Sequence, residues 1–547
     1  MRYKTIYVRL KKLLLLFIPP IILKIYRKIK YKYNLPSRKI YFRTSSHIVT
    51  EKKISLSEMI ISENKIDKVR IESYMEWINP FSENDSRKYQ YKELIVSVSN
   101  NTEIVLDFTN YGTWTICIDY LYEDKVIKKE IRTINVDAPE YNIGYLAATL
   151  PVEIFLTKLW DITASNRPTI IGLERVLLNY ETLPQNVYPF PLASMEELNT
   201  AYRGYESYSQ RLVSYIGALY RLNPEAKFNL YLCDHQAFYS LALIYANGIP
   251  EKNFKVFLLS DGLGSYSGIN HVFNQPDSEK KYSTMKATWI LSKQKALECG
   301  VQKWGQEVFV KCGDPCLAES KRLKNNLLDL SNKFAYAYVM SRENSNYRWI
   351  LHNPQLLKIK NKKITLPDTI SKINFVEEIK KLQKHKTELI AMLDINYSVF
   401  DKSIQNNKKI CLLLSSYPAS SSDIEYINKV ISYFGKSYDY YFKEHPWATK
   451  DKKRMQILES KGITILDPRI PAEYYMLINP DIYIAGYISA TFLSIELLKN
   501  PSEQILSVWR ERNCQIKTEC FDFSAKTAMN IENNAVVVYE KETVTEC

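Results

Sequence analysis

The sequence predicts an α/β protein in which two facing, doubly wound Rossmann-like domains follow a small antiparallel β-sandwich. Three observations carry that expectation. Between about Ile40 and Val136, short segments alternate apolar and polar residues, the period of half-buried strands. From Tyr141 onward, buried apolar runs alternate with helical stretches, the pattern of a covered parallel sheet. After a Lys-rich, partly helical segment, Ser345 to Asn406, the same pattern starts again near Lys408. A chain of 547 residues is also too long for one domain. The divisions expected are 1–39, 40–137, 138–400 and 401–547.

The first segment, 1–39, is basic and apolar: ten Lys or Arg and no acid lie between Met1 and Lys32. Its run "LLLLFIPPIIL" has eleven residues and Pro19-Pro20 at its middle, too short and too broken to span a bilayer. The residues after it, "KIYRKIKYKY", offer no small-residue cleavage site. The expectation is a segment lying on an anionic membrane surface, each cation contributing roughly 1 kcal/mol; a solvated basic helix is the alternative. Net charge is +14, yet no zinc-finger spacing, arginine-rich arm or other nucleic-acid module accompanies it, so nucleic acid is not expected as a partner. The nine cysteines are scattered, and "CGDPC" (Cys312, Cys316) has no second pair at metal-binding distance. Reduced thiols in a cytoplasmic compartment follow.

In 40–137, "KVRIESYMEWI", "KELIVSVS", "EIVLDF", "TWTICIDYLYED" and "KVIKKEIRTINV" read as strands parted by "SNNT" and "NYG", an immunoglobulin-like sandwich without evident chemistry. The next domain offers strand "YNIGYLAATL", a helix over Ser194 to Leu222, strand "FNLYLCD", helix "HQAFYSLALIYANGI" and strand "FKVFLLSDG". The last domain reads as strand "KKICLLLSS", helix "SSDIEYINKVISYFG", strand "YDYYFKEHP", helix "RMQILESKG" and strand "ITILDP". Helix "PAEYYMLIN", strand "DIYIAGYIS" and helix "ATFLSIELL" complete it. Two such domains form a cleft between the carboxyl ends of their sheets, where ligands sit. The layout resembles the glycosyltransferase architecture called GT-B.

Candidate residues therefore stand at strand ends. His445, in "KEHP" after Lys443 and before Pro446, can donate a hydrogen bond to a phosphate oxygen; a His-Pro pair can equally just end a strand. Glu473, behind Pro471 at a helix start, suits the helix dipole or can accept bonds from ligand hydroxyls and amines. Ser415 and Ser416 after one strand, and Ser489 and Thr491 after another, form anion sites or ordinary caps. In the earlier domain, Ser260, Asp261 and Gly262 leave a strand where an acid can take a proton, although Asp-Gly is also a turn dipeptide. Asp234 and His235 end the neighbouring strand. No glycine-rich dinucleotide fingerprint, Walker loop or Asp-x-Asp metal motif occurs, so neither metal nor cofactor is expected.

Together these pieces resemble the bacterial sialyltransferases: lipooligosaccharide enzymes, capsular polysialyltransferases and multifunctional sialyltransferases. That family carries an acidic-acidic-Gly motif, a His-Pro motif, a helix-start Glu that contacts cytosine and a Ser/Thr phosphate motif. "SDG", "KEHP", "PAE" and "GYISAT" follow that order between about Tyr141 and Ile531. Some multifunctional members also have an immunoglobulin-like amino-terminal domain. The resemblance implies an inverting, metal-independent transfer of sialic acid from CMP-sialic acid to a terminal sugar, expected to be galactose, of lipooligosaccharide, O-antigen or capsule. It further implies Asp261 as base, His445 at the leaving phosphate, and an enzyme peripheral on the inner face of the cytoplasmic membrane. Ser260 stands where the family has its first acid; Asp261, or Asp234 with His235, takes that role, or activity has been lost. The alternatives are a donor such as CMP-Kdo or a UDP-sugar, and a noncatalytic glycan-binding protein.

Overall fold

The computed structural model describes residues 47–48, 53–55, 67–78, 86–97, 105–107, 112–136, 138–164, 167–173, 178–184, 186–189, 202–300, 333–352, 354–366, 368–415, 422–445, 452–486, 490–499 and 505–506. The basic segment 1–39 and the Cys312/Cys316 pair lie outside these residues. The chain divides into two compact units, Met1–Ala138 and Pro139–Cys547.

The first unit contains β1 (His47–Ile48), β2 (Lys53–Ser55), β3 (Lys68–Ile78), β4 (Ser86–Ser97), β5 (Val105–Asp107), β6 (Gly112–Tyr122) and β7 (Lys125–Val136). Five of them form one sheet in the order β1-β7-β6-β3-β4, and β2 pairs with β5 in a separate ladder. All pairings are antiparallel except β1 with β7. Alternation decides the buried face: Val69, Ile71, Trp114, Ile116, Ile118 and Tyr120 point inward. The β6–β7 hairpin turns at Glu123 and Asp124, both left-handed (φ 48° and 61°), the twist that two-residue hairpin loops require. Asp124 also accepts a bond from Lys68 Nζ at 2.6 Å.

The second unit holds two parallel sheets. The first contains β8 (Glu140–Leu146), β9 (Thr169–Leu173), β10 (Val187–Pro189), β11 (Lys227–Cys233), β12 (Phe254–Leu259), β13 (Tyr347–Leu351) and β14 (Ile370–Lys372), in the order β10-β9-β8-β11-β12-β13-β14. The second contains β15 (Lys409–Leu414), β16 (Tyr438–Lys443), β17 (Thr464–Ile465), β18 (Tyr483–Gly486) and β19 (Ile505–Leu506), in the order β17-β16-β15-β18-β19. Each order runs outward from its first strand and then reverses, at β8/β11 and at β15/β18. Those reversals are the topological switch points at which such sheets bind ligands. The strands are buried almost continuously, as expected of sheets covered on both faces.

The sequence expectation differs from the structure in three places. The segment read as a linker from Ser345 supplies β13 and β14, because "YRWIL" is a short buried run without the alternation that marks a half-exposed strand. "HQAFYSLALIYANGI" is not one helix but a succession of short turns with a five-residue helix, Tyr239–Leu243. Almost every side chain in it is buried, so it has no polar face to carry a long amphipathic helix. "ATFLSIEL" winds as a 3-10 helix, Ala490–Leu497, in keeping with the middling helix propensity of Thr, Phe, Ser and Ile.

One apolar core joins the two lobes of this unit. Leu150, Phe155 and Leu159, on helix Thr149–Ala164, belong to the same cluster as Leu414, Tyr474, Met476 and Ile484 of the second sheet and its helices. Burying each such side chain stabilises by about 1.5–3 kcal/mol, enough for a few of them to hold the lobes together.

Candidate active site

In the first lobe three neighbouring strands end side by side, since Cys233 pairs with Leu259 and Leu259 with Ile350. The residues just past these ends gather Asp234, Ser260, Asp261 and His352. Asp261 Oδ2 lies 3.2 Å from His235 Nδ1, and both side chains keep some exposure, 27 % and 15 %. Behind them is a closed polar layer. The Asp261 N–H donates to Ser265 Oγ at 2.7 Å, and the Ser265 hydroxyl in turn bonds the Asp234 carboxyl. Trp349 Nε1–H donates to Asp234 Oδ2 at 3.4 Å. Burial, with help from the Asp261 charge, pushes the Asp234 carboxyl up to about 8. Ser260 Oγ meets His352 Nδ1, and burial holds that imidazole down at about 3, hence neutral. Gly262 opens helix Leu263–Phe273 at φ 65°, ψ −149°, a conformation essentially reserved to glycine, which turns the chain from the end of β12 into that helix.

In the second lobe, Ser415 at the end of β15 joins the switch point to the histidine. Its N–H donates to the Lys443 carbonyl at 3.1 Å, and its Oγ accepts from the His445 N–H at 3.0 Å. Glu444, between Lys443 and His445, makes a buried ion pair with Arg454. Lys443 Nζ donates to the carbonyls of Glu444 (3.0 Å) and Pro468 (2.8 Å). Burial pulls its ammonium down to about 8, against the opposing charges of Glu473, Asp467, Glu153 and Glu444. Glu473 sits in the first turn of helix Ala472–Ile478. Thr491 follows β18, where Gly486 allows the strands to approach: a Cβ there would lie 2.8 Å from the Leu414 carbonyl.

The lobes meet at these ends. Glu153, on the helix that leaves β8, hydrogen-bonds Glu473 and feels the Lys443 charge. The helix that leaves β8 is thereby packed against the helix that follows β17.

The family described as alpha-2,8-polysialyltransferase matches residues 181–506, which hold β10 to β14 of the first sheet and all five strands of the second. The chain belongs to that family. It is a glycosyltransferase, a sialyltransferase of GT-B fold. A 2,6-sialyltransferase from a Photobacterium species of the Vibrionaceae, solved with donor product CMP and acceptor substrate lactose, is similar at TM-score 0.53 and 14 % identity, over 90 % of this chain and 95 % of that one. An alpha/beta-galactoside alpha-2,3-sialyltransferase from Photobacterium phosphoreum is similar at TM-score 0.50 and 14 % identity, over 73 % and 98 %. No curated protein matches the chain.

Within this sialyltransferase the expected site residues separate into groups. Asp261, His235 and Gly262 stand together in one lobe; Lys443, His445, Ser415 and Glu473 stand together in the other. Asp234 and Ser260, expected among the substrate contacts, are instead fully enclosed, each 0 % exposed, because both side chains turn into the layer behind the strand ends. Ser416, Pro446 and Ser489 lie outside the described residues. Sequence reasoning missed Glu153 and His352. A lone acid in the apolar run "LPVEIFL" was the available signal for the first; the second was hidden in the segment taken as a linker.

Proposed function

We propose that the enzyme transfers sialic acid from CMP-sialic acid to a terminal sugar of a bacterial surface glycan with inversion at the anomeric carbon. The observation that supports this is the contact of Glu153 with Glu473 and Lys443, which joins the lobe that carries the Asp261–His235 pair to the lobe that carries the Ser415–His445 pair. Asp261 takes the acceptor proton as the hydroxyl attacks, with His235 steadying the carboxylate. The bond from the anomeric carbon to the phosphate oxygen breaks as CMP leaves. His445, with Ser415 and Thr491, hydrogen-bonds the phosphate as it gathers charge, and Glu473 and Lys443 hold the nucleoside. One phosphate is within reach of such donors, so no metal is required.

Membership of the alpha-2,8-polysialyltransferase family supports a sialic acid terminus as acceptor, and the lactose of the Photobacterium complex supports a galactose terminus. Full-length protein is incubated with CMP-sialic acid and either lactose or a short oligosialic acid, and CMP release is followed. Turnover with one acceptor is expected. His445→Ala loses about 100- to 1,000-fold and Asp261→Asn about 100- to 10,000-fold. Turnover with a UDP-sugar or CMP-Kdo instead, or with no donor at all, overturns the proposal. The basic segment 1–39 extends it to a peripheral enzyme on the inner face of the cytoplasmic membrane. Co-sedimentation with anionic but not neutral vesicles, lost when 1–39 is removed, is the corresponding test.

A further inference from the structure

Glu153 has no part in the chemistry above, yet it is among the most enclosed acids of the molecule. It lies between the buried Val152 and Ile154, is itself 1 % exposed, and hydrogen-bonds Glu473, which is 4 % exposed. Glu153 Oε1 and the neighbouring Tyr474 hydroxyl have no hydrogen-bond partner. A second charge on Glu153 beside the enclosed Glu473 carboxyl is disfavoured by both desolvation and like-charge repulsion, which favours a proton on Glu153. Burial, and then the Glu473 charge, pushes the Glu153 carboxyl well above the carboxylate range. The groups that face the pair are Lys443 from β16 and Tyr474 from the same helix as Glu473; Asp467 and Glu444 face Lys443 in turn.

We propose that Glu153 is a latch, carried by the first lobe, on the donor site: it holds Glu473 in the empty enzyme and gives it up to the donor nucleotide. This rests on the assignment of Glu473 to nucleoside binding. When the nucleotide takes Glu473, Glu153 is returned to water and ionises, so binding releases a proton. Nucleotide affinity then rises with pH up to the raised value of Glu153 and levels off beyond it.

The probe is CMP, titrated calorimetrically into the full-length chain at about pH 7.5 in two buffers of different ionisation enthalpy. Wild type is expected to release more protons per CMP than Glu153→Gln, whose amide N–H can still bond Glu473 but has no proton to lose. Titration of the CMP phosphate is common to both and cancels. Glu153→Ala, which frees Glu473, binds CMP several-fold tighter than wild type. Equal proton counts in wild type and Glu153→Gln overturn the latch, as does weaker CMP binding by Glu153→Ala; should the alanine variant not fold, the glutamine comparison decides. Glu473→Ala separates the two ideas. Unchanged CMP affinity in that variant defeats the nucleoside assignment, whereas lost affinity with equal proton counts defeats the latch alone.

Discussion

Arg454→Met removes one member of an ion pair from a place where water cannot replace it. Arg454 and Glu444 are 3 % and 5 % exposed, and the guanidinium also lies over the Phe442 ring, 5.8 Å from its centroid. Breaking a buried pair from one side typically costs about 3–5 kcal/mol, because the remaining charge stays desolvated. Here the lower end applies, since the Lys443 ammonium remains near the Glu444 carboxylate. Loss of the ring contact adds about 0.5–1 kcal/mol. The expected destabilisation is therefore about 3–4 kcal/mol, read as a fall in the urea unfolding midpoint. The double variant Glu444→Leu/Arg454→Met buries no charge at this position and should recover most of that loss. Since Glu444 precedes His445, the single variant should also lose about tenfold or more in CMP release at a temperature where it is folded. A single-variant cost below about 1 kcal/mol, or a double variant no more stable than the single, would refute the argument.

Two shorter predictions concern the first lobe. Gly262→Ala forces a Cβ into φ 65°, ψ −149° and should cost about 1–3 kcal/mol along with most of the turnover; a variant with wild-type melting and activity excludes a need for glycine at the turn that follows Asp261. Asp234 holds its proton in the folded state up to about pH 8 but loses it near 3.9 when unfolded, so its contribution to stability falls as pH rises through that window. Asp234→Asn removes this dependence and should gain on wild type steadily from about pH 4 to 8 in thermal melts, whereas parallel melting-versus-pH curves count against a buried neutral carboxyl.

The parts that the sequence made legible are those in which local chemistry and tertiary position coincide. The long strands of the first unit alternate because one face of each is wet. The starts of β11, β12, β15, β16 and β18 are apolar runs bounded by turn residues. "KEHP" and "SDG" were visible because a charged residue after such a run must emerge at a sheet edge. What could not be read was pairing in space. "YRWIL" looks like any short apolar segment until β12 lies beside it, and nothing near Pro151 or Val152 in sequence says that Glu153 will meet a carboxyl more than three hundred residues further on. Nor does "CDHQ" reveal which of its two polar residues turns inward. Asp234 does and His235 does not, a choice made by the short turn Asp234–Gln236.

Ser260 stands where the family pattern has an acid, and its surroundings say what an acid would do there. The position is fully enclosed, against a neutral His352 and on the strand next to an Asp234 that is itself protonated at neutral pH. A carboxylate in that layer has no water. Its cheapest partner is the imidazole, which it would draw up into its charged form. Ser260→Asp is therefore expected to destabilise the lobe by about 1–3 kcal/mol, the cost of an imperfectly paired buried polar group, and to move the His352 titration upward toward neutrality in ring-nitrogen NMR. Turnover should not rise, because a side chain pointing into this layer cannot reach an acceptor hydroxyl, whereas Asp261 is partly exposed and oriented by His235. A Ser260→Asp enzyme at least tenfold faster than wild type, with His352 still neutral, would place the base at 260 and remove Asp261 from the mechanism.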